Sequence, residues 1–176
     1  SVLGVVAAAL GRRYVGIDLR AEQIEANKAQ WDDIVPRLPD IEGGEHPAPD
    51  WRCGDSLIAV PAFVEESGEP TADFVFSCPP YGDLEIYSDQ DGDISNLSAD
   101  EFDRAYAEII GKAVAALKPN RFACFVIGDY RDAKGLYRNL PGKTIAAFEA
   151  AGASLYNEAI LVTATGSLAI RAGKSF

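Results

Sequence analysis

Ala72-Asp-Phe-Val-Phe-Ser-Cys-Pro-Pro-Tyr81 is the stretch on which the reading of this chain turns. Residues 72–77 read as a short apolar strand, and Pro79-Pro80 end it, because proline fixes φ and removes the ladder's N–H donor. The same pair makes a stiff corner with outward-facing carbonyls, and Tyr81 follows it at the end of the strand. A ring beside exposed carbonyls suits a flat ligand that carries an amino group. The bland alternative is a loop corner with an exposed aromatic.

Working outward, apolar strand candidates alternate with helical segments. Upstream stand Arg13-Tyr-Val-Gly-Ile-Asp18 and Asp50-Trp-Arg-Cys-Gly-Asp55, and downstream stands Arg121-Phe-Ala-Cys-Phe-Val-Ile-Gly128. The last is apolar almost throughout, which predicts a central strand covered on both faces. Leu155 to Val162 reads as a final strand. Helices are predicted over Val2–Leu10 (short and buried), Ala21–Ile34, Leu57–Glu66 despite Pro61, and Thr144–Ala151. Ser98-Ala-Asp-Glu101 is a capping box. It opens a helix whose apolar stripe is Phe102, Tyr106, Ile109, Ala113 and Leu117, closed by Pro119-Asn120.

Alternation of this kind predicts an α/β fold: a doubly wound, mostly parallel sheet between two helix layers. Ligands then bind beyond the carboxyl ends of the strands. The residues to examine are Asp18, Asp55, Ser77 to Tyr81, and Asp129 with Tyr130. Either acid has a plainer reading as a helix N-cap.

The chain has 176 residues, 48% of them apolar, which suits one domain with a real core. Acids outnumber bases 27 to 16, giving a formal net charge of −11. Such a surface argues against a protein that coats nucleic acid through phosphate neutralisation. Arg131, Lys134, Arg138 and Lys143, and Arg171 with Lys174 in the tail, are the local bases that could touch phosphate. Cys53, Cys78 and Cys124 are too widely spaced for a disulfide framework or a zinc site, which points to a reducing, cytoplasmic setting. No apolar run is long enough to span a membrane, and the start lacks the basic leader of a signal peptide. His46 in its Pro-rich loop reads as solvated. Asp89-x-Asp91-Gly92-Asp93 fails the calcium-loop register, since Ile94 stands where glycine is needed, and reads as a solvated acidic loop. No metal is expected.

Pro79, Pro80 and Tyr81 resemble the catalytic motif of the amino-methylating DNA methyltransferases, in which Asp, Asn or Ser precedes Pro-Pro and an aromatic. Here Cys78 stands in the polar position and Ser77 lies one residue earlier. Tyr14-Val-Gly-Ile-Asp18 resembles the motif whose acid holds the ribose of S-adenosylmethionine, with Leu19 beside it. Cys53-Gly-Asp55-Ser56 resembles the one whose Asp receives the cofactor's adenine amino group. The resemblance implies a Rossmann-like, three-layer methyltransferase domain over residues 1–176. It implies too that the first strand, with its glycine loop, and the last strand of that fold lie outside the sequence. The implied activity is transfer of a methyl group to N6 of adenine or N4 of cytosine, on a base flipped out of DNA, as in restriction-modification. Ser77, Cys78, Pro79, Pro80 and Tyr81 would be catalytic, and Asp18, Leu19, Asp55 and Ser56 would hold the cofactor. No recognition insert is visible, so a separate target-recognition segment or subunit is the implied partner. The alternatives are a non-catalytic DNA- or partner-binding module on the same fold, or a methyltransferase acting on an amine in RNA or protein.

Overall fold

A computed structural model describes residues 2–41, 44–84 and 86–162. In chain order the elements are α1 (Val2–Ala9), β1 (Val15–Asp18), α2 (Ala21–Ile34), β2 (Asp50–Cys53), α3 (Ser56–Ser67), β3 (Ala72–Ser77), α4 (Ala99–Ala116), β4 (Leu117–Phe125) and α5 (Leu140–Ala150). The architecture is mixed α/β. Its strands form two parallel pairs, β1 with β2 and β3 with β4. The chain divides into two compact units, Ser1–Phe63 and Val64–Phe176, with the division inside α3.

In the first unit β1 and β2 run in register from Val15 opposite Asp50 to Asp18 opposite Cys53. Val5, Ala8, Ile24, Trp31 and Trp51 form the core, with Tyr14 packed against them. Tyr14 and Trp51 lie so close over Gly4 and Gly16 that a Cβ at either glycine would force one of the rings to shift. α1 is not the buried helix expected: Val2, Val6 and Leu10 are exposed, and its buried residues are Gly4, Val5 and Ala8. His46 is not simply solvated. Its ring nitrogens lie 3.0 Å from the Ala8 carbonyl and 2.9 Å from the Pro39 carbonyl, tying the Pro-rich loop to α1.

In the second unit α4 and α5 pack on one face of β3–β4. Phe102, Tyr106, Ile110, Tyr130, Leu140 and Ala147 form the core. Burying a side chain the size of Phe102 or Ile110 contributes about 1.5–3 kcal/mol. The capping box forms, with Glu101 Oε2 accepting from the Ser98 N–H at 3.1 Å. The buried stripe of α4 runs through Ile110 rather than Ile109. α5 begins at Leu140, four residues earlier than the sequence suggested, with Pro141 in its first turn where proline costs least.

β4 differs most from expectation. It begins at Leu117, before the apolar run, and Lys118 and Arg121 converge on Asp73 at 3.1 and 3.0 Å. Asn120 takes a positive φ of 57° beside an irregularity in the β3 register. The strand is covered on one face only: Phe122 is 54% exposed, as are Phe74 (56%) and Phe76 (40%) on β3. Residues 155–162 are not a strand. Tyr156, Ile160, Leu161 and Val162 are more than 80% exposed, with no strand partner among the described residues, though Tyr156 sits edge-on to Phe122. Arg171 and Lys174 lie outside the described residues.

Candidate functional site

The residues to which the resemblance gives roles gather at strand ends, four in the first unit and five in the second. In the first unit the carboxyl ends of β1 and β2 lie side by side, joined by the Gly54 N–H donating to the Asp18 carbonyl at 2.9 Å. Asp18 Oδ1 accepts from the Arg20 N–H at 2.9 Å, bracing the turn into α2. Asp55 Oδ1 accepts from the Leu57 N–H at 2.8 Å and caps α3, whose first residue is Ser56. The cap reading of Asp55 therefore holds. Asp18 braces its turn without capping, since the residue preceding α2 is Arg20. Leu19 gives its carbonyl to the Cys53 thiol at 3.4 Å.

Each acid thus commits one oxygen to its own turn. Neither Oδ2 accepts a hydrogen bond among the described residues, and both carboxylates are part-exposed. Two acceptors on adjacent strand ends suit a ligand with hydroxyl and amino donors. The ribose and adenine of S-adenosylmethionine fit that donor set.

In the second unit Ser77 closes β3 opposite Phe125, and its carbonyl accepts from the Val126 N–H at 2.9 Å. Pro79 and Pro80 then turn the chain, and Tyr81 crosses towards the end of β4. Its hydroxyl donates to the Val126 carbonyl at 3.4 Å and lies 3.8 Å from Cys78 Sγ. The ring packs against the aromatic core. Burial, and then the Cys78 thiol, push the Tyr81 phenol up to about 12. Near neutral pH it is therefore an uncharged ring, suited to stacking and unsuited to acting as a base.

Residues 86–97 are not the simple solvated loop expected from their aspartates. Asp93 is buried and accepts from the Ser95 N–H at 2.9 Å, the Ser95 hydroxyl at 2.6 Å and the Ser88 hydroxyl at 2.8 Å. Burial disfavours its charge, but these donors outweigh burial and hold the carboxyl below its ordinary value. This gives Asp93 a structural duty in place of a calcium one. Among the described residues no three His, Cys, Asp or Glu side chains gather to hold a metal ion.

After β4, Asp129 Oδ1 accepts from the Tyr130 N–H at 2.9 Å and the Leu140 N–H at 3.2 Å, fixing the approach to α5. Arg131 is turned inward on its loop, donating to the Gly135 carbonyl at 2.7 Å and stacking 3.9 Å over the Tyr137 ring. Lys143 pairs with Asp103 at 2.5 Å. These two bases are thus engaged within the unit. The sequence reading placed Tyr130 at a strand end but gave no sign of its partner, Gly82. Nothing in a single sequence signals that contact, because the two residues meet only when β3 and β4 pair. No helix among the described residues is long and apolar enough to cross a membrane. No protein-family model, curated protein or solved structure matches the chain.

Proposed function

We propose that this chain is the catalytic part of an S-adenosylmethionine-dependent methyltransferase that acts on N6 of adenine or N4 of cytosine in DNA. The reading takes the mixed α/β fold as one of the doubly wound, Rossmann-like kind. The observation that carries it is the Pro79-Pro80-Tyr81 corner at the carboxyl end of β3, where a neutral aromatic ring is held by the Val126 carbonyl.

Asp18 and Asp55 would hold the ribose hydroxyls and the adenine amino group through their Oδ2 atoms, with Leu19 and Ser56 beside them. The cofactor supplies an electrophilic methyl group on a sulfonium. An exocyclic amine is a weak nucleophile because its lone pair is delocalised into the base. The Pro79 carbonyl, with Ser77 or Cys78, would accept its N–H hydrogens and localise that pair. Tyr81 would stack on the base, worth about 1–3 kcal/mol. Once the methyl is transferred, the amine gives up a proton to solvent. Tyr81 is too weak an acid to leave a phenolate that could take it. Positioning supplies most of the rate, and the base must first leave the duplex. The acidic surface suits a catalytic body whose grip on DNA comes from a separate recognition segment or subunit.

A second reading rests on Cys78: a thiol accepts hydrogen bonds weakly, so the corner also suits a binding module that does no chemistry. Transfer of labelled methyl from S-adenosylmethionine to unmethylated DNA, with digestion to nucleosides, separates the two. Label in N6-methyladenine or N4-methylcytosine, reduced about 5- to 150-fold by Tyr81→Ala, is the expected result. Cofactor binding without label on DNA redirects the search to amines in RNA or protein. Absence of both transfer and cofactor binding overturns the enzyme reading.

A further inference from the structure

Gly82 follows the Pro-Pro-Tyr corner, is buried, and has φ +58°. A Cβ built on it would fall 1.9 Å from the Tyr130 hydroxyl oxygen and 2.6 Å from the carbon that bears it. The phenol of Tyr130 therefore occupies the space a side chain would need. Tyr130 is itself only 5% exposed. Its backbone is fixed on both sides: its N–H donates to Asp129 at 2.9 Å, and its carbonyl accepts from the Arg138 N–H at 2.9 Å. Tyr81 and Leu84, either side of Gly82, pack on the same core. Gly128, two residues before Tyr130, lies against the Tyr81 ring, since a Cβ there would sit 3.8 Å from it.

We infer that Tyr130 is a positioning residue for the Tyr81 corner, its phenol seated against Gly82 so that the ring of Tyr81 is held over residues 126–128. The functional half of this inference rests on the methyltransferase reading; the contact itself does not. A Tyr130 ring that is buried in the second core, on a backbone held at Asp129 and Arg138, cannot move aside cheaply. Bulk added at Gly82 therefore displaces the corner instead, and bulk removed at Tyr130 lets the corner settle inward. Either change shifts Tyr81, and displacement of a reacting group by about 1 Å costs roughly 100-fold in rate.

The test is a mutant cycle on the whole chain with Gly82→Ala, Tyr130→Ala, their double variant and Tyr130→Phe. Methyl transfer to unmethylated DNA is measured alongside the fluorine resonance of Tyr81 in protein labelled with 3-fluorotyrosine, assigned by Tyr81→Phe. Each single alanine variant should lower kcat by roughly 10- to 100-fold, leave KM for S-adenosylmethionine unchanged and shift the Tyr81 resonance. The double variant should lose far less than the product of the two losses, since the clash at Gly82 is relieved. Tyr130→Phe, which keeps the ring, should recover most of what Tyr130→Ala loses. An unmoved Tyr81 resonance in Gly82→Ala, or losses that simply multiply, overturns the inference. Wild-type protein without methyl transfer overturns the functional reading instead. In that case the resonance and the same cycle on unfolding free energy still decide the contact.

Discussion

The two strand-end clusters are supported in opposite ways. Asp18 and Asp55 are held by main-chain N–H groups two residues away, so each turn carries its own brace. Tyr81 is held by Val126, 45 residues away, and lies on a core built from α4, α5 and Tyr130. A locally braced acid keeps its geometry wherever its helix forms. A ring held by distant partners keeps its geometry only while its whole unit is folded. The proposed cofactor side should therefore tolerate damage to the second core, and the proposed methyl-acceptor side should not.

The largest effect that would break or support this contrast is Phe102→Ala, at 1% exposure in the second core. It should cost about 3–5 kcal/mol. Trp31 and Trp51, the chain's two tryptophans, both lie in the first unit's core. Tryptophan fluorescence thus follows that unit, while the near-ultraviolet tyrosine signal comes mainly from the second. The tyrosine transition should move in denaturant and the tryptophan transition should stay. Coincident shifts would make the units one cooperative body and dissolve the contrast.

Alkaline pH sharpens the same point. Burial pushes the Tyr106 phenol up to about 12, although its hydrogen bond with Thr144 works the other way. Between pH 10 and 12 the unfolded phenol ionises while the folded one keeps its proton. Stability is thus fully present below pH 10 and falls by about 3 kcal/mol across that window. Urea unfolding at pH 8 and 11 checks this; Tyr106→Phe should remove only its own share of the alkaline loss, because the Tyr81 phenol is pushed up to about 12 as well. At the acid end, the depressed Asp93 contributes stability that is present above its unfolded value and is lost as pH falls through its folded one. Asp93→Ala, which orphans the hydrogens of Ser88 and Ser95, should cost about 1–3 kcal/mol near neutral pH. The mutant's unfolding curve should then lose Asp93's share of the wild type's dependence on pH below 4, while Asp73, Glu101 and Asp132, whose carboxyls are also held down by their donors, keep theirs.

What the sequence revealed divides along the same line as the supports. The Ser98–Glu101 box, the cap at Asp55 and the break after Ser77 are all local, set by residues within a few positions of one another. Each was visible in the one-dimensional pattern. Features set by distant partners were not. The apolar run of residues 121–128 predicted a strand covered on both faces, but nothing in it tells which face the helices take, and Phe122 is exposed. The strand's early start at Leu117 brings Lys118 and Arg121 to Asp73 across the ladder, a pairing of distant residues. Asp93 read as one of several solvated acids because Ser88 and Ser95 become its donors only once the loop closes. Tyr81 itself was legible through the double proline, while the residues that hold it were not.

The smallest effect tests the brace itself, where cap and ligand roles fall on one carboxylate. Asp55→Ala removes the acceptor of the Leu57 N–H and should cost about 1 kcal/mol of stability. Asp55→Asn keeps a capping oxygen and should cost almost nothing, because Asn caps about as well as Asp. The two variants therefore separate the roles. If Oδ2 receives the adenine amino group, Asp55→Asn loses the charge behind that hydrogen bond, and affinity for S-adenosylmethionine should fall roughly tenfold or more while stability holds. Calorimetric titration of both variants, beside thermal melts, reads both quantities. Unchanged affinity in Asp55→Asn would reduce Asp55 to a helix cap. The cofactor side would then rest on Asp18, whose brace at Arg20 leaves its second oxygen just as open to a ligand.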